Sequence, residues 1–418
     1  MSDKLLISEE KIIDAKKIFE ASEDKGYSHK DRTLAIMLEN QKQATHSARK
    51  ENLAVLFEAA PVSNTTGVSG YDPVLIKMLK RALPNLVAYD VIGVQPMNMP
   101  TGVVFYEKAR YTSMTGDIAL KDEALTGFSG DKTVQSGDTP ATLLAATPGA
   151  YTVGSAMATA TAEALGDGTS NWNEMSFSIE KVTVTAASRA LRADYSVEMA
   201  QDLKSVHGLE AQALLSDTLS NEILCEINRE VFRKIYINAK KGMASTTTAG
   251  IWDVDADSQG RWFQEDAVSL VYNLGKDSNA INYDIRFGRG NFFIVSANLA
   301  DVLAAAEKLE TSKVSLGDID GAGNTFLGTV GRFKVYMDPY INDAATSFAC
   351  VGYKGQTDLE AGMFYCPYIP LEMYEAVSPV TFQPAIAFKT RYGLVANPFS
   401  GSTSATSGWF RKSEISGF

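Results

Sequence analysis

Asp253, Asp255 and Asp257 in WDVDADSQG place three carboxylates at alternate positions, the spacing that opens an EF-hand calcium loop. Such a loop also needs glycine at its sixth position and a bidentate glutamate at its twelfth. Ser258 and Gln264 hold those places, and Glu265 falls one residue late. The stretch therefore predicts an acidic surface turn, not a metal site. Phe287-Gly288-Arg289-Gly290 offers a G-x-G, but it precedes an apolar strand pattern, whereas a dinucleotide loop follows a strand and opens a helix. It is read as a turn. P-loop, G-x-S-x-G, H-E-x-x-H and C-x-x-C patterns do not occur.

The inventory of reactive side chains is equally sparse. His29, His46 and His207 are the only histidines, and acid–base or metal chemistry near neutral pH leans on that residue more than any other. Cys225, Cys350 and Cys366 are irregularly spaced and fit buried thiols in a reducing compartment, not a zinc site or a disulfide framework. No catalytic residue, cofactor or metal is expected. The chain is not read as an enzyme.

The whole chain sets the frame. Its 418 residues can bury a large core, and an apolar content of 45% fits a folded protein. A net charge of −11 repels nucleic acid and anionic membranes over most of the surface, and no Arg/Lys–aromatic stripe offsets it. MSDKLLISEEKIIDAKK has no apolar signal region, and no run of about 18 apolar residues could span a membrane.

Residues 1–58 are charged and helix-patterned, and the chain then turns small and polar at SNTTGVSG, 63–70. Asp72-Pro73 predicts a capped helix that Pro84 ends. TGVVFYEKARY (101–111) and SFSIEKVTVTA (176–186) predict an exposed pair of strands. Between them, 127–171 is rich in Thr, Ala, Gly and Ser and suits a loop tip or small insertion. Leu219, Ile223, Ile227, Val231 and Ile235 recur at four-residue spacing within a helical stretch over 196–239, with Gly208 as a kink or break. Such a rod would reach roughly 60 Å. A helix at 262–274, strand 291–296, helix 298–309 and strands at 331–337, 348–353, 362–366 and 382–399 complete an α+β reading with a mixed or antiparallel sheet.

From Tyr71 onward several blocks closely resemble, in order, the major capsid proteins of T-even-type tailed phages. They are YDPVLIKMLKRALPNLVAYDVIGVQPMNMPTG (71–102), WNEMSFSIEK (172–181), SRALRADYSVEMAQDLKSVHG (188–208), EILCEINREV (222–231), VGYKG (351–355) and FKTRYGLVANPF (388–399). The resemblance implies an α+β fold of the Hong Kong 97-type capsid class. It implies a cleavable, scaffold-like propeptide at 1–58 and an N-arm at 59–100. An E-loop would occupy 101–186, with a short insertion at about 127–171 because the span from SMTG to WNEM is shorter than the type member's. Residues 187–249 and 376–418 would form a peripheral domain on a long spine helix, and 250–375 an axial domain.

The family's prohead protease cuts after Glu in a pattern of Ile or Leu, any residue, Glu, then a small residue. Leu56-Phe57-Glu58-Ala59 fits, with the cut between Glu58 and Ala59, and Ile18-Phe19-Glu20-Ala21 fits inside the same leader. Glu123, Glu163, Glu210 and Glu375 also precede alanine but lack Ile or Leu two residues earlier. The implied function is a shell protein that assembles as hexamers into an icosahedral head around double-stranded DNA and matures by loss of the leader. Alternatives are the pentameric vertex protein of the same phages and a cellular encapsulating shell. The implied partners are other copies, the vertex protein, scaffold and core proteins, the portal, the prohead protease and outer decoration proteins. DNA would be enclosed without specific binding and no membrane engaged. The place would be the virion, assembled in the host cytoplasm.

Overall fold

The computed structural model describes residues 36–37, 86–120, 123–136, 151–166, 172–208, 210–243, 248–257, 262–310, 326–341, 346–357, 360–378, 382–399 and 405–417. The described chain runs through a one-turn helix α1 (Ala88–Val91), β1 (Gly93–Val94), β2 (Thr101–Tyr111), α2 (Thr159–Glu163), β3 (Met175–Thr185) and β4 (Ala187–Asp194). Two longer helices follow, α3 (Val197–His207) and α4 (Ala211–Asn238), then β5 (Ala239–Lys241), β6 (Ile251–Asp253), α5 (Val254–Asp257) and α6 (Phe263–Ile285). The last stretch holds β7 (Phe292–Ser296), α7 (Ala297–Ala305), β8 (Phe326–Val330), β9 (Phe333–Asp338), β10 (Ser347–Gly352), β11 (Met363–Val377), β12 (Pro384–Ala396) and β13 (Ser407–Ser416). Phe105–Lys181 forms one compact unit, and the described residues up to Val104 and from Val182 form a second.

The second unit is built on two sheets. One has the order β1-β11-β12-β4, with β1 parallel to β11 and the other pairs antiparallel. The other is mixed, in the order β5-β13-β10-β7-β9-β8 with β6 also on β13. This matches the expected α+β class. Strand β13 lies beyond the last strand read from the sequence and sits centrally, burying Trp409 and Phe410 completely. It returns to the sheet of β7 to β10, so residues 376–418 are shared between the two sheets.

Strand β11 runs far past Cys366, where the sequence pattern suggested an end. Pro367 and Pro370 cannot donate to a ladder, and the register slips between Pro367 and Ile369 and again between Ile369 and Glu372. The bulges absorb the prolines and pairing resumes.

The 60 Å rod does not form. Gly208 takes φ 65° and ends α3, whose first turn is capped by the Ser196 hydroxyl accepting from Met199 N–H at 3.2 Å. Helix α4 then starts afresh and its 28 residues span about 42 Å. Its predicted stripe is buried in full: Leu219, Ile223, Ile227, Val231 and Ile235. Helix α6 runs on to Ile285 because Ile281 and Ile285 continue its buried face. A smaller core gathers Met97, Val104, Val184, Ala361, Phe364 and Cys366 where the base of β2 and β3 meets β11.

Candidate assembly site

Strands β2 and β3 pair, and their side chains alternate between two faces as a strand period of two requires. Within Phe105–Lys181 the pairings run in opposite senses: Lys108 meets Glu180, Arg110 meets Ser178, and Thr112 N–H bonds the Glu174 carbonyl. One face is polar. Lys108 is only 5% exposed and its ammonium lies 2.6 Å from the Glu180 carboxylate. Arg110 donates to Ser178 at 2.7 Å and to the Gly116 carbonyl at 2.7 Å, which pins the turn after β2.

The opposite face is open to solvent and largely apolar, with Glu107 and Lys181 also standing on it. Phe105, Phe177 and Ile179 are 68%, 62% and 70% exposed, with Met175 beside them at 51%. Val103 continues the same face of β2. The usual arrangement of a half-buried strand is thereby reversed in part: the Lys108 ammonium is covered while the rings of Phe105 and Phe177 are wet. Covering the exposed part of each of these side chains would contribute about 1–2 kcal/mol. An exposed cluster of large apolar side chains of this kind is a candidate contact surface.

Helix α4 carries the other polar constellation. Arg189 of β4 reaches Glu226 at 2.7 Å and Glu230 at 2.5 Å, and its Nε donates to the Tyr392 hydroxyl of β12. Tyr392 in turn donates to Glu230 at 2.5 Å, and Lys234 pairs with Glu230 one turn on at 2.9 Å. Burial alone would raise the Glu230 carboxyl, but hydrogen bonds from Tyr392, Lys234 and Arg189 outweigh it and hold the group at about 2. Burial, with Glu230 adding to it, pushes the Tyr392 phenol well up. One residue earlier, Arg229 points to the other sheet. It meets the fully buried Asp338 of β9 at 2.5 Å, and Tyr236 donates to the same carboxylate at 2.8 Å. Both ionic joints fasten helix α4 to a sheet within the subunit.

The residues singled out from the sequence are dispersed. Leu56, Glu58 and Ala59, like Ile18, Glu20 and Ala21, lie outside the described residues. Asp253 ends β6, and its Oδ1 accepts from Asp255 N–H at 3.1 Å while 254–257 coil into α5. Among the described residues no group of three or more His, Cys, Asp or Glu is arranged to hold a metal ion, and no helix is long and apolar enough to cross a membrane. Gly288 and Gly290 form the turn into β7, packed against Tyr353 and Val351. Cys350 and Cys366 are buried and Cys225 half-buried, all as free thiols. Sequence reading passed over Arg189, Arg229, Asp338 and Tyr392. The signal within reach was Glu226, Glu230 and Lys234 at four-residue spacing on one helix face.

Residues 68–418 match the family described as "Major capsid protein Gp23". The major capsid protein of Serratia phage KSP90 is 40% identical over 357 residues, covering 81% of this chain and 80% of that protein. The capsid vertex protein of Enterobacteria phage T4 is 26% identical over 241 residues, covering 54% of this chain and 53% of that protein. Among solved structures, the capsid of Myoviridae phage XM1 aligns with a TM-score of 0.42 at 10% identity, covering 85% of this chain and 96% of that one.

Proposed function

The chain belongs to the Gp23 family of major capsid proteins, and from that membership we propose that its copies assemble, as hexamers of Hong Kong 97-type subunits, into the icosahedral head shell that encloses phage double-stranded DNA. It is a structural, non-enzymatic component of the virion. The observation that carries the assembly reading is the outward apolar face of Phe105, Met175, Phe177 and Ile179. An isolated subunit leaves that face in water; a neighbouring copy covers it. Each contact is modest, and a closed shell multiplies it by effective concentration.

Maturation belongs to the same proposal. Cleavage between Glu58 and Ala59, with a second cut between Glu20 and Ala21, removes a helix-patterned leader that would otherwise engage the scaffold and core proteins inside the immature shell. Its loss is a covalent switch that biases subunits toward a mature state. The vertex protein, portal, prohead protease and outer decoration proteins are the partners proposed. The negative net charge suits a container that does not grip its DNA.

Hexamer membership is favoured over the vertex role because identity to a major capsid protein is 40% across four-fifths of the chain, against 26% across about half for a vertex protein. Reconstruction of native particles with intact-mass analysis of their protein tests the whole. A chain beginning at Ala59 in six-fold positions is expected; full-length protein confined to five-fold positions would overturn it.

A further inference from the structure

Helix α4 passes directly into the edge strand β5, which pairs parallel to β13. Just past that strand the chain turns onto a buried carboxylate. Gly242 N–H donates to the Lys412 carbonyl at 2.7 Å, and Met243 N–H donates to Asp277 Oδ1 at 2.7 Å. The Ser413 hydroxyl donates to Asp277 Oδ2 at 3.1 Å. A methyl group at Gly242 would collide with both the Asp277 carboxylate and the Ser413 hydroxyl, so glycine alone lets the backbone come this close. Met243 is buried and held at φ 43°, a left-handed conformation that sets its Cβ against the backbone.

Asp277 lies on the inner face of α6, only 2% exposed, and both of its hydrogen bonds come from neutral donors. Arg411 of β13 acts on it by charge from a distance, because that guanidinium is bonded to Asp284 at 2.9 Å. Lys240 of β5 meets the same Asp284 at 3.2 Å. Cys350 of β10 lies within its field as a fully buried thiol that burial keeps neutral. Burial therefore raises the Asp277 carboxyl, and Met243 N–H, the Ser413 hydroxyl and the Arg411 charge offset only part of that. A leucine would fill this face of α6 without burying a charge, and a relaxed residue at 243 would carry no strain. Two local costs meeting in one contact point to a joint with a second position.

We propose that Asp277 is a proton-controlled clasp between α6 and the end of β5, shut on the 242–243 turn when protonated and poised to open when charged. The neutral acid keeps both bonds: one oxygen still accepts from Met243, and the acid O–H donates to the Ser413 hydroxyl. In the open form the carboxyl meets water at its ordinary 3.8. The closed form binds the proton more readily, so the advantage of closure is complete below about pH 3.8 and is lost as pH rises through the raised value.

The clasp stands apart from the shell reading, and unassembled full-length protein tests it. Hydrogen exchange is followed at the Met243 amide between about pH 4 and pH 7, corrected for intrinsic rates, with the buried Val231 amide of α4 as the reference for global opening. Protection at Met243 relative to Val231 is expected to fall several-fold as pH rises. Asp277→Asn keeps an acceptor for Met243 and a donor for Ser413 without a charge, and should hold the acidic level of protection throughout. Asp277→Leu leaves the Met243 N–H without a partner and should lose about tenfold. A flat wild-type profile would overturn the proposal, as would an unchanged pH slope in Asp277→Asn. Loss at Val231 equal to that at Met243 would also overturn it, by making Asp277 part of the subunit's global stability.

Discussion

Tyr392 donates its hydroxyl hydrogen to Glu230 at 2.5 Å, and that bond ties strand β12 to helix α4. The same hydroxyl accepts from Arg189 Nε of β4. Three elements far apart in sequence therefore meet at one oxygen.

Tyr392→Phe keeps the ring but strips Glu230 of a donor and Arg189 of an acceptor. The expected loss is about 1–2 kcal/mol, because the two charged groups retain each other. Urea unfolding of unassembled protein should show a lower midpoint with unchanged slope.

Acid stability should report the same joint. The Glu230 carboxyl stands at about 2 in the fold against an ordinary 4.5. With the folded value depressed, the unfolded chain takes up the proton first as pH falls. The contribution is complete above about pH 4.5 and drains away toward about pH 2. Glu230→Gln should flatten the stability profile across that window and leave its shape at neutral pH unchanged.

Phe177 stands on the open face of β3 and gives the subunit little by itself. Phe177→Asn should change unfolding of unassembled protein by no more than about 0.5 kcal/mol. Shell yield should nevertheless drop at least about tenfold, since one ring's burial is withdrawn at every repeat of the contact. Equal yields by sedimentation and electron microscopy would detach this face from assembly.

A methyl group at Gly208 would touch nothing within 4 Å, so any cost of Gly208→Ala comes from its φ of 65° alone. That cost is about 1–2 kcal/mol. Gly208→Asn, better suited to the left-handed region, should lose less. Thermal unfolding of the two variants side by side measures the difference.

Glu58→Gln removes the charge on which the proposed cleavage depends. Particles carrying it should retain the stretch from Ala21 to residue 58 when weighed by intact mass, because the cut after Glu20 remains available. Mature protein that still begins at Ala59 would show that the protease does not read Glu58.

Much of this architecture was legible from periodicity. The stripe from Leu219 to Ile235 has the helical repeat and is buried as read, and β2 and β3 lie within a residue of their predicted spans. Two kinds of element escaped. Strand β13 opens with Ser407, Gly408, Trp409 and Phe410 all buried, followed by Arg411 and Lys412, so it lacks the apolar–polar alternation that announces a half-exposed strand. Strand β11 carries prolines that argue for an ending, and only tertiary pairing could override them. The ionic joints were illegible for a different reason. Arg189 and Tyr392 are 203 positions apart, and no local pattern in one chain records a contact of that range.

Arg229 and Glu230 are neighbours in sequence, so their side chains leave α4 about 100° apart around its axis. One is bonded to Asp338 in the mixed sheet, the other to Arg189 and Tyr392 in the four-stranded sheet. Spinning the helix in either sense would tear at least one of those attachments. Any rearrangement of the subunit that keeps both attachments must therefore bow or lean this beam instead of rolling it, and the two sheets should travel with it as a geared pair.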